Sequence, residues 1–235
     1  MSMDEIERRK QLHARLDKME NASEGSWEGR KGWFEQVYTS AHGDTGEIPW
    51  AELEPKAPLV EWLAANKGVG RTALDVGCGL GDNANAFHEA GWKTSAFDVA
   101  PTAIEWAQKR FPSGDIEFRC ADLFNPPQDW IGKFDLVYEC YTLQSICTEM
   151  RGDLVAPLKS LVAPGGTLII LARYSESAGE SSGPPWPLVD TEIAQYCDDG
   201  FEEAVRKTFL QHKEDGRKIP HIWLELKRSM AVVED

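Results

Sequence analysis

The chain predicts an α/β fold, a doubly wound and mostly parallel sheet of seven strands with helices on both faces and an antiparallel strand near the C-terminus. Three observations carry this expectation. Short apolar runs alternate with helical stretches from Thr72 onward, the first run ends in a glycine-rich turn that opens a helix, and the last two runs face each other across a polar turn.

The elements follow in order. TALDV (72–76) is an apolar run ending in glycines, GDNANAFHEAG (81–91) has helical periodicity and a glycine stop, and KTSAFDV (93–99) is a second strand. PTAIEWAQKRF (101–111) starts a helix on proline, whose missing N–H is not needed in a first turn. IEFRCADL (116–123) and KFDLVYEC (133–140) are strands. A helix is expected over Glu149–Val162, and GTLIILARY (166–174) follows the Pro164-Gly165-Gly166 turn. Strands separated by helices require right-handed crossovers and hence a parallel sheet. After a helix near Thr191–Cys197, FEEAVRKTFL (201–210) and HIWLELKRS (221–229) form a closing hairpin.

Ahead of Thr72 the pattern is looser. Residues 3–20 place Ile6, Leu12, Leu16 and Met19 among alternating charges, a weak helical stripe; residues 21–32 read as a loop, and an aromatic-rich stretch runs from Trp33 to Trp50. A helix is expected over 55–66. The chain therefore divides into an N-terminal helical and aromatic arm, residues 1–54, expected to act as a lid, and one domain of catalytic size, residues 55–235.

Composition excludes several classes. With 235 residues and 42% apolar content a core is assured, no low-complexity tract or repeat occurs, and neither a signal peptide nor a membrane span is expected. Five widely spaced cysteines (Cys78, Cys120, Cys140, Cys147, Cys197) with no C-x-x-C pair argue for reduced thiols in a cytoplasmic protein and against a zinc site. A formal charge of -14 argues against nucleic acid and anionic membranes as partners. A monomer or a homodimer is expected.

The chemistry starts at Asp75-Val76-Gly77-Cys78-Gly79-Leu80-Gly81. Glycines at alternate positions let the backbone turn sharply and approach a ligand where a Cβ would clash. Asp98, 17 residues after Gly81 at the end of the second strand, is the acid expected to grip a ribose diol. Asp82 stands where a dinucleotide fingerprint has its third glycine, and an acid there opposes a pyrophosphate but tolerates a sulfonium. Asp75 is a cofactor-binding candidate that also fits a carboxylate that only caps the turn, Asp98 and Asp122 also fit turn acids, and Cys78 fits a packing residue.

On these residues the sequence resembles the class I S-adenosylmethionine (SAM)-dependent methyltransferases, with their Rossmann-like fold, over about residues 70–174. LDVGCGLG matches the family's first motif, AFDVAPTAIEWA its second, ADLF its adenine-contacting acid, and KFDLVYEC its fourth strand. The resemblance implies SAM as cofactor, Gly77 and Gly79 at its amino-acid part, Asp98 at the ribose, and Asp122 with Leu123 at the adenine edge. Trp33, Tyr38, Pro49-Trp50 and Ser182-Gly183-Pro184-Pro185-Trp186 resemble the thiopurine and thiol/halide methyltransferases. There the aromatics, here Trp33 and Trp50, close over the cofactor, and the GPP loop, here Pro185 and Trp186, lines the acceptor pocket. Asp75-Val76 departs from that group's common Val-Pro.

Methyl transfer is an in-line displacement that needs proximity and alignment more than acid or base groups. Arg173, at the end of the fifth strand, is the cation expected to favour a thiolate, and Tyr141 the group expected to hydrogen-bond the acceptor; these two are the catalytic and substrate-binding candidates. Glu139 is expected near the methionine ammonium. No histidine stands at an evident strand end, His42 in the arm being a remote candidate, so a small thiol or other soft anion is the expected small-molecule acceptor. An O- or N-methyltransferase of secondary metabolism, a non-catalytic SAM-binding subunit and an aminopropyltransferase-like enzyme are the alternatives.

Overall fold

The computed structural model describes residues 11–230 apart from 13, 17, 20, 21, 23–25, 178–182, 198, 199, 214 and 215. Ile6 and Ser182 of the segments above thus lie outside the described residues.

The sheet is built from β1 (Thr72–Val76), β2 (Lys93–Asp98), β3 (Glu117–Cys120), β4 (Phe134–Cys140), β5 (Val162–Ser175), β7 (Phe201–His212) and β8 (Lys218–Arg228), with β6 (Leu188–Val189) as a two-residue addition to β5. The order is β3-β2-β1-β4-β5-β8-β7. All pairs among β1 to β5 are parallel, while β8 runs antiparallel to both β5 and β7. Seven strands make the main path, as the periodicity predicts. The chain leaves β1 toward β2 and β3 and later returns to the other side of β1 as β4. Open α/β sheets bind ligands at this reversal, outside the carboxyl ends of the strands.

Both faces are covered. The helices α2 (Ala57–Ala65) and α3 (Asp82–Glu89) supply Leu59, Leu63 and Phe87 to a cluster with Ala73, Tyr138, Ile169, Leu171 and Trp223. On the opposite face Val76, Val137, Leu168 and Ile170 meet Leu154, Leu158 and Ile193 from the segments after β4 and β5. Alternation along each strand sends successive side chains to these two cores. The α4 helix (Pro101–Arg110) lies over β2 and β3. Edge strand β7 is mostly exposed and carries Glu202, Glu203, Arg206 and Lys207, charges that discourage pairing with another chain.

Three expectations are corrected. The stretch read as a loop over 21–32 is helical from Trp27: α1 spans Trp27–Ser40, capped by the Ser26 hydroxyl. The aromatics disguised it because Trp33, Val37 and Tyr38 point into a tertiary contact with Leu80, Ala100 and Ala103. The helix expected over 149–162 breaks into α5 (Thr148–Arg151), a 3-10 turn at Gly152–Leu154, and α6 (Val155–Ser160). Pro157 has no N–H to donate and is accommodated in the first turn of α6. Third, β5 starts at Val162, and the Pro164-Gly165-Gly166 turn is absorbed as a register shift against β4 between Phe134 and Leu136.

Candidate active site

The glycine turn after β1 passes through Gly77, Gly79 and Gly81 at φ 63°, 53° and 84°, a region that L side chains avoid. Each glycine is also hemmed in. A Cβ on Gly77 would lie 2.2 Å from the Thr142 Oγ1, so the turn after β4 presses on the turn after β1. A Cβ on Gly79 would come within 3.2 Å of the Tyr38 hydroxyl from α1, and one on Gly81 within 2.9 Å of the Phe118 ring. Gly81 therefore serves packing between the turn and β3. Asp82 is paired with Arg110 at 2.6 Å, so its charge is met by a cation of α4.

Three carboxylates, Asp98, Asp75 and Glu139, stand at or near the carboxyl ends of β2, β1 and β4. Asp98 accepts from the Gly79 and Ala100 N–H groups, both at 2.9 Å, and its pKa is raised by burial. Asp75 is buried, its Oδ2 has no partner, and burial raises its pKa well above the usual carboxylate range. Glu139 is fully buried: Oε1 accepts from the N–H groups of Thr142 at 2.6 Å and Leu143 at 2.8 Å, Oε2 has no partner, and burial pushes its pKa up to about 7. Val76 and Glu139 are register partners on β1 and β4. Asp75 and Glu139 each keep one buried carboxylate oxygen without a partner, and an orphaned acceptor at a strand end suits a ligand group that donates hydrogen bonds or carries positive charge. Asp122 stands apart, accepting from the Trp27 indole N–H at 2.8 Å and from the Phe124 N–H at 2.9 Å, with the Lys31 ammonium at 3.2 Å; Leu123 is buried in the core beside it.

Of the arm's aromatics, Trp33 lies on a helix and is buried, with the Arg30 guanidinium 4.2 Å above its ring. Trp50 is 5.8 Å from Trp33 and donates to the Tyr38 hydroxyl at 2.8 Å. Glu35 of α1 accepts from the Thr102 N–H and hydroxyl, capping α4, which has no side-chain cap of its own. The arm is thus built into the body around the glycine turn.

At the ends of β4 and β5, Tyr141 follows β4 at φ 65°, a strained conformation for an aromatic residue of the kind that collects at functional sites. The Lys56 ammonium lies 4.8 Å from its ring. Arg173 is half-buried, its guanidinium meets no carboxylate among the described residues, and burial lowers its pKa. Its backbone N–H donates to the Gln144 Oε1 at 2.7 Å, and the Gln144 carbonyl accepts from the Trp186 N–H at 2.8 Å, which fixes the Pro185-Trp186 loop against the end of β5. Arg151, buried and paired with Glu192, donates to the Trp186 carbonyl at 2.7 Å.

Sequence reasoning missed His221, which is the register partner of Arg173 across β5 and β8. Its ring lies 5.6 Å from Tyr141 and 5.6 Å from Phe209. The signal was available: an antiparallel strand brings its first residues to the edge where parallel strands end. His42, the remote candidate, sits exposed in a turn at φ 50°. Among the described residues no group of three His, Cys, Asp or Glu is placed to hold a metal ion, and no helix is long and apolar enough to cross a membrane.

The family model of thiopurine S-methyltransferase matches residues 40–227. A probable thiol methyltransferase of Arabidopsis thaliana is 28% identical over 181 residues, 74% of this chain and 72% of that protein. The cypemycin N-terminal methyltransferase of a Streptomyces species is 26% identical over 160 residues, 65% of this chain but only 64% of that protein's length. Among solved structures, the Burkholderia thailandensis 1,6-didemethyltoxoflavin-N1-methyltransferase with S-adenosylhomocysteine bound superposes with a TM-score of 0.67 at 17% identity, covering 88% of this chain and 92% of that one. The glycine turn, the strand-end acids and the family match over most of the sequence agree: the chain belongs to the thiopurine S-methyltransferase family and is a SAM-dependent methyltransferase.

Proposed function

We propose that the enzyme methylates a small thiol or comparable soft anion. The observation that carries this reading is Arg173, a half-buried guanidinium with no acidic partner among the described residues of a chain whose formal charge is -14. In so acidic a protein an unmatched cation at the mouth of a methyl-transfer site is a receptor for negative charge. The absence of a general base, which the sequence reading added in support, no longer counts, because His221 stands beside Arg173.

SAM supplies an electrophilic methyl group on a sulfonium. Toward it, Gly77 and Gly79 give the close backbone approach, Asp98 is assigned to the ribose hydroxyls, Asp122 and Leu123 to the adenine edge, and Asp75 and Glu139 to the ammonium end. The orphaned Asp75 and Glu139 oxygens support the last assignment. Residues 1–54 are assigned the role of cover, supported by the Tyr38 hydroxyl over Gly79. Tyr141, Pro185 and Trp186 line the acceptor, and Tyr141 and Arg173 orient it in line with the methyl group.

The test is S-adenosylhomocysteine release with thiols, halides, phenols and amines as acceptors. Small thiols are expected to turn over, and Arg173→Met to lower kcat/KM for them by about tenfold or more while leaving SAM binding unchanged, as for the loss of a charged hydrogen bond. Robust transfer to a phenol or amine with thiols inert across roughly pH 6 to 9, a range spanning thiol ionisation, overturns the reading.

A further inference from the structure

We propose that His221 is the general base of this enzyme, its Nε2 taking the proton of the acceptor's nucleophile beside Arg173. The proposal rests on the thiol reading for its first choice of probe acceptors.

Placement comes first. β8 runs antiparallel to β5, so His221 near its start lies at the edge where β4 and β5 end, opposite Arg173. The tautomer follows from one contact. The His221 Nδ1 is 2.8 Å from the Ile219 carbonyl oxygen, which only accepts, so Nδ1 carries the hydrogen and Nε2 keeps its lone pair. No described residue hydrogen-bonds Nε2. This is the arrangement of a base whose second nitrogen is oriented by a backbone acceptor.

The surroundings favour the neutral ring. The groups facing it are Arg173 from β5, Lys56 from the segment before α2, Lys213 from the turn between β7 and β8, and Tyr141 after β4. Lys56 is itself paired with Glu52 at 2.7 Å, and Arg217 lies near Arg173. Burial, the largest cause, joined by the three cations and opposed by the Ile219 carbonyl, holds the imidazole below its ordinary range, which favours the unprotonated ring at neutral pH. The same cations stabilise the anion that forms once a proton has left the acceptor.

His221 is only 1% exposed, so an acceptor reaches Nε2 when a neighbour moves. Tyr141 is that neighbour: its ring packs against the imidazole and its backbone is held at φ 65°. In the step itself the acceptor S–H bond breaks, its proton passing to Nε2. The sulfur electron pair forms the new S–CH3 bond as the methyl–sulfonium bond breaks, that bond's pair staying on the departing thioether. The imidazolium then loses its proton to water.

The experiment compares the full-length wild type with His221→Asn, whose amide keeps a donor for Ile219 but has no counterpart of Nε2. One acceptor is an alkyl thiol of pKa about 8.5, and the other an aryl thiol already ionised at neutral pH. The variant is expected to lose ~30-fold in kcat/KM for the alkyl thiol at neutral pH, the loss set by the roughly 3% of such a thiol that is already ionised there. Its residual rate should follow thiol ionisation, and the aryl thiol should be turned over within about threefold of wild type, since an ionised nucleophile needs no base. Imidazole titration by NMR, without SAM, should show a His221 signal protonating below the ordinary histidine range and missing from the variant. Equal losses on both thiols, or a His221 signal titrating at or above the ordinary range, overturns the proposal. Wild type inert on both thiols sinks the thiol reading alone. The same pair of enzymes is then compared on a phenol that it methylates and on an ionised nitrophenol, with the same outcomes deciding.

Discussion

Trp27 donates its indole N–H to the Asp122 carboxylate at 2.8 Å, joining the first turn of α1 to the acid that follows β3, 95 residues away. Lys31, one turn further along α1, adds its ammonium at 3.2 Å, and the Trp27 ring packs 4.7 Å from Phe124. The N-terminal segment thus touches the site at the acid assigned to adenine and, through Tyr38, at Gly79.

This makes deletion of residues 1–50 a decisive test of how the arm is attached. The sequence alone suggests a detachable lid and a truncated domain that still folds. The packing of Trp33, Val37, Tyr38, Ala41 and Ile48 against Leu80, Ala100 and Ala103, and the capping of α4 by Glu35, imply otherwise. Deletion is expected to destabilise by ~3 kcal/mol or more, as for removal of a large buried side chain. Thermal unfolding of the soluble fraction checks it, and an unchanged Tm would restore the detachable lid.

Asp98→Ala should leave a folded protein and raise the KM for SAM by roughly 10- to 100-fold, the equivalent of a lost hydrogen bond to a charged group. The Gly79 N–H, which donates to Asp98, loses its acceptor as well. Isothermal titration with S-adenosylhomocysteine reads the effect without turnover. Unaltered affinity would leave Asp98 as a turn residue only.

Gly77→Ala is expected to fail for two reasons that can be separated. The φ of 63° costs a non-glycine residue about 1 kcal/mol, and the new Cβ meets Thr142 Oγ1 at 2.2 Å. Gly77→Ala combined with Thr142→Ser, which removes the crowding methyl but keeps the hydroxyl that donates to the Val76 carbonyl, should recover little. Combined with Thr142→Ala, which removes the hydroxyl and the methyl but leaves the Cβ 3.1 Å away, it should recover most of the steric part only. Denaturant midpoints of the three variants decide it.

Glu139 gives the unliganded protein a stability that falls with pH. A carboxyl whose folded pKa is raised binds more protons folded than unfolded, so stability is fully present below the unfolded pKa and is lost as pH rises from about 4.5 to about 7. The shift corresponds to about 3 kcal/mol as an order of magnitude for this fully buried group. Asp75 and Asp98 are shifted in the same direction and add to the slope. Glu139→Gln keeps an oxygen for the Thr142 and Leu143 N–H groups and removes the charge. Its Tm should therefore fall less steeply than wild type across that window and exceed it above neutral pH. Parallel Tm–pH curves for the two proteins would contradict the assignment of the slope to Glu139.

What the sequence by itself determined was local and periodic. Alternating apolar runs and helical stretches announced the parallel sheet because a buried strand and an amphipathic helix each leave a period in the chain. Gly77, Gly79 and Asp98 were legible because a turn after a strand demands particular residues at fixed spacing. The tertiary structure alone decided contacts between distant segments. α1 was hidden because its aromatics obey the surface of the glycine turn, with no strong helical stripe of their own. The pairing of Asp82 was not legible because its partner Arg110 is on another helix, and His221 was overlooked because only the antiparallel return of β8 sets it opposite Arg173. Spacing along the chain encodes what neighbours in sequence must do, whereas burial and charge at a strand end depend on which strand comes to lie beside it.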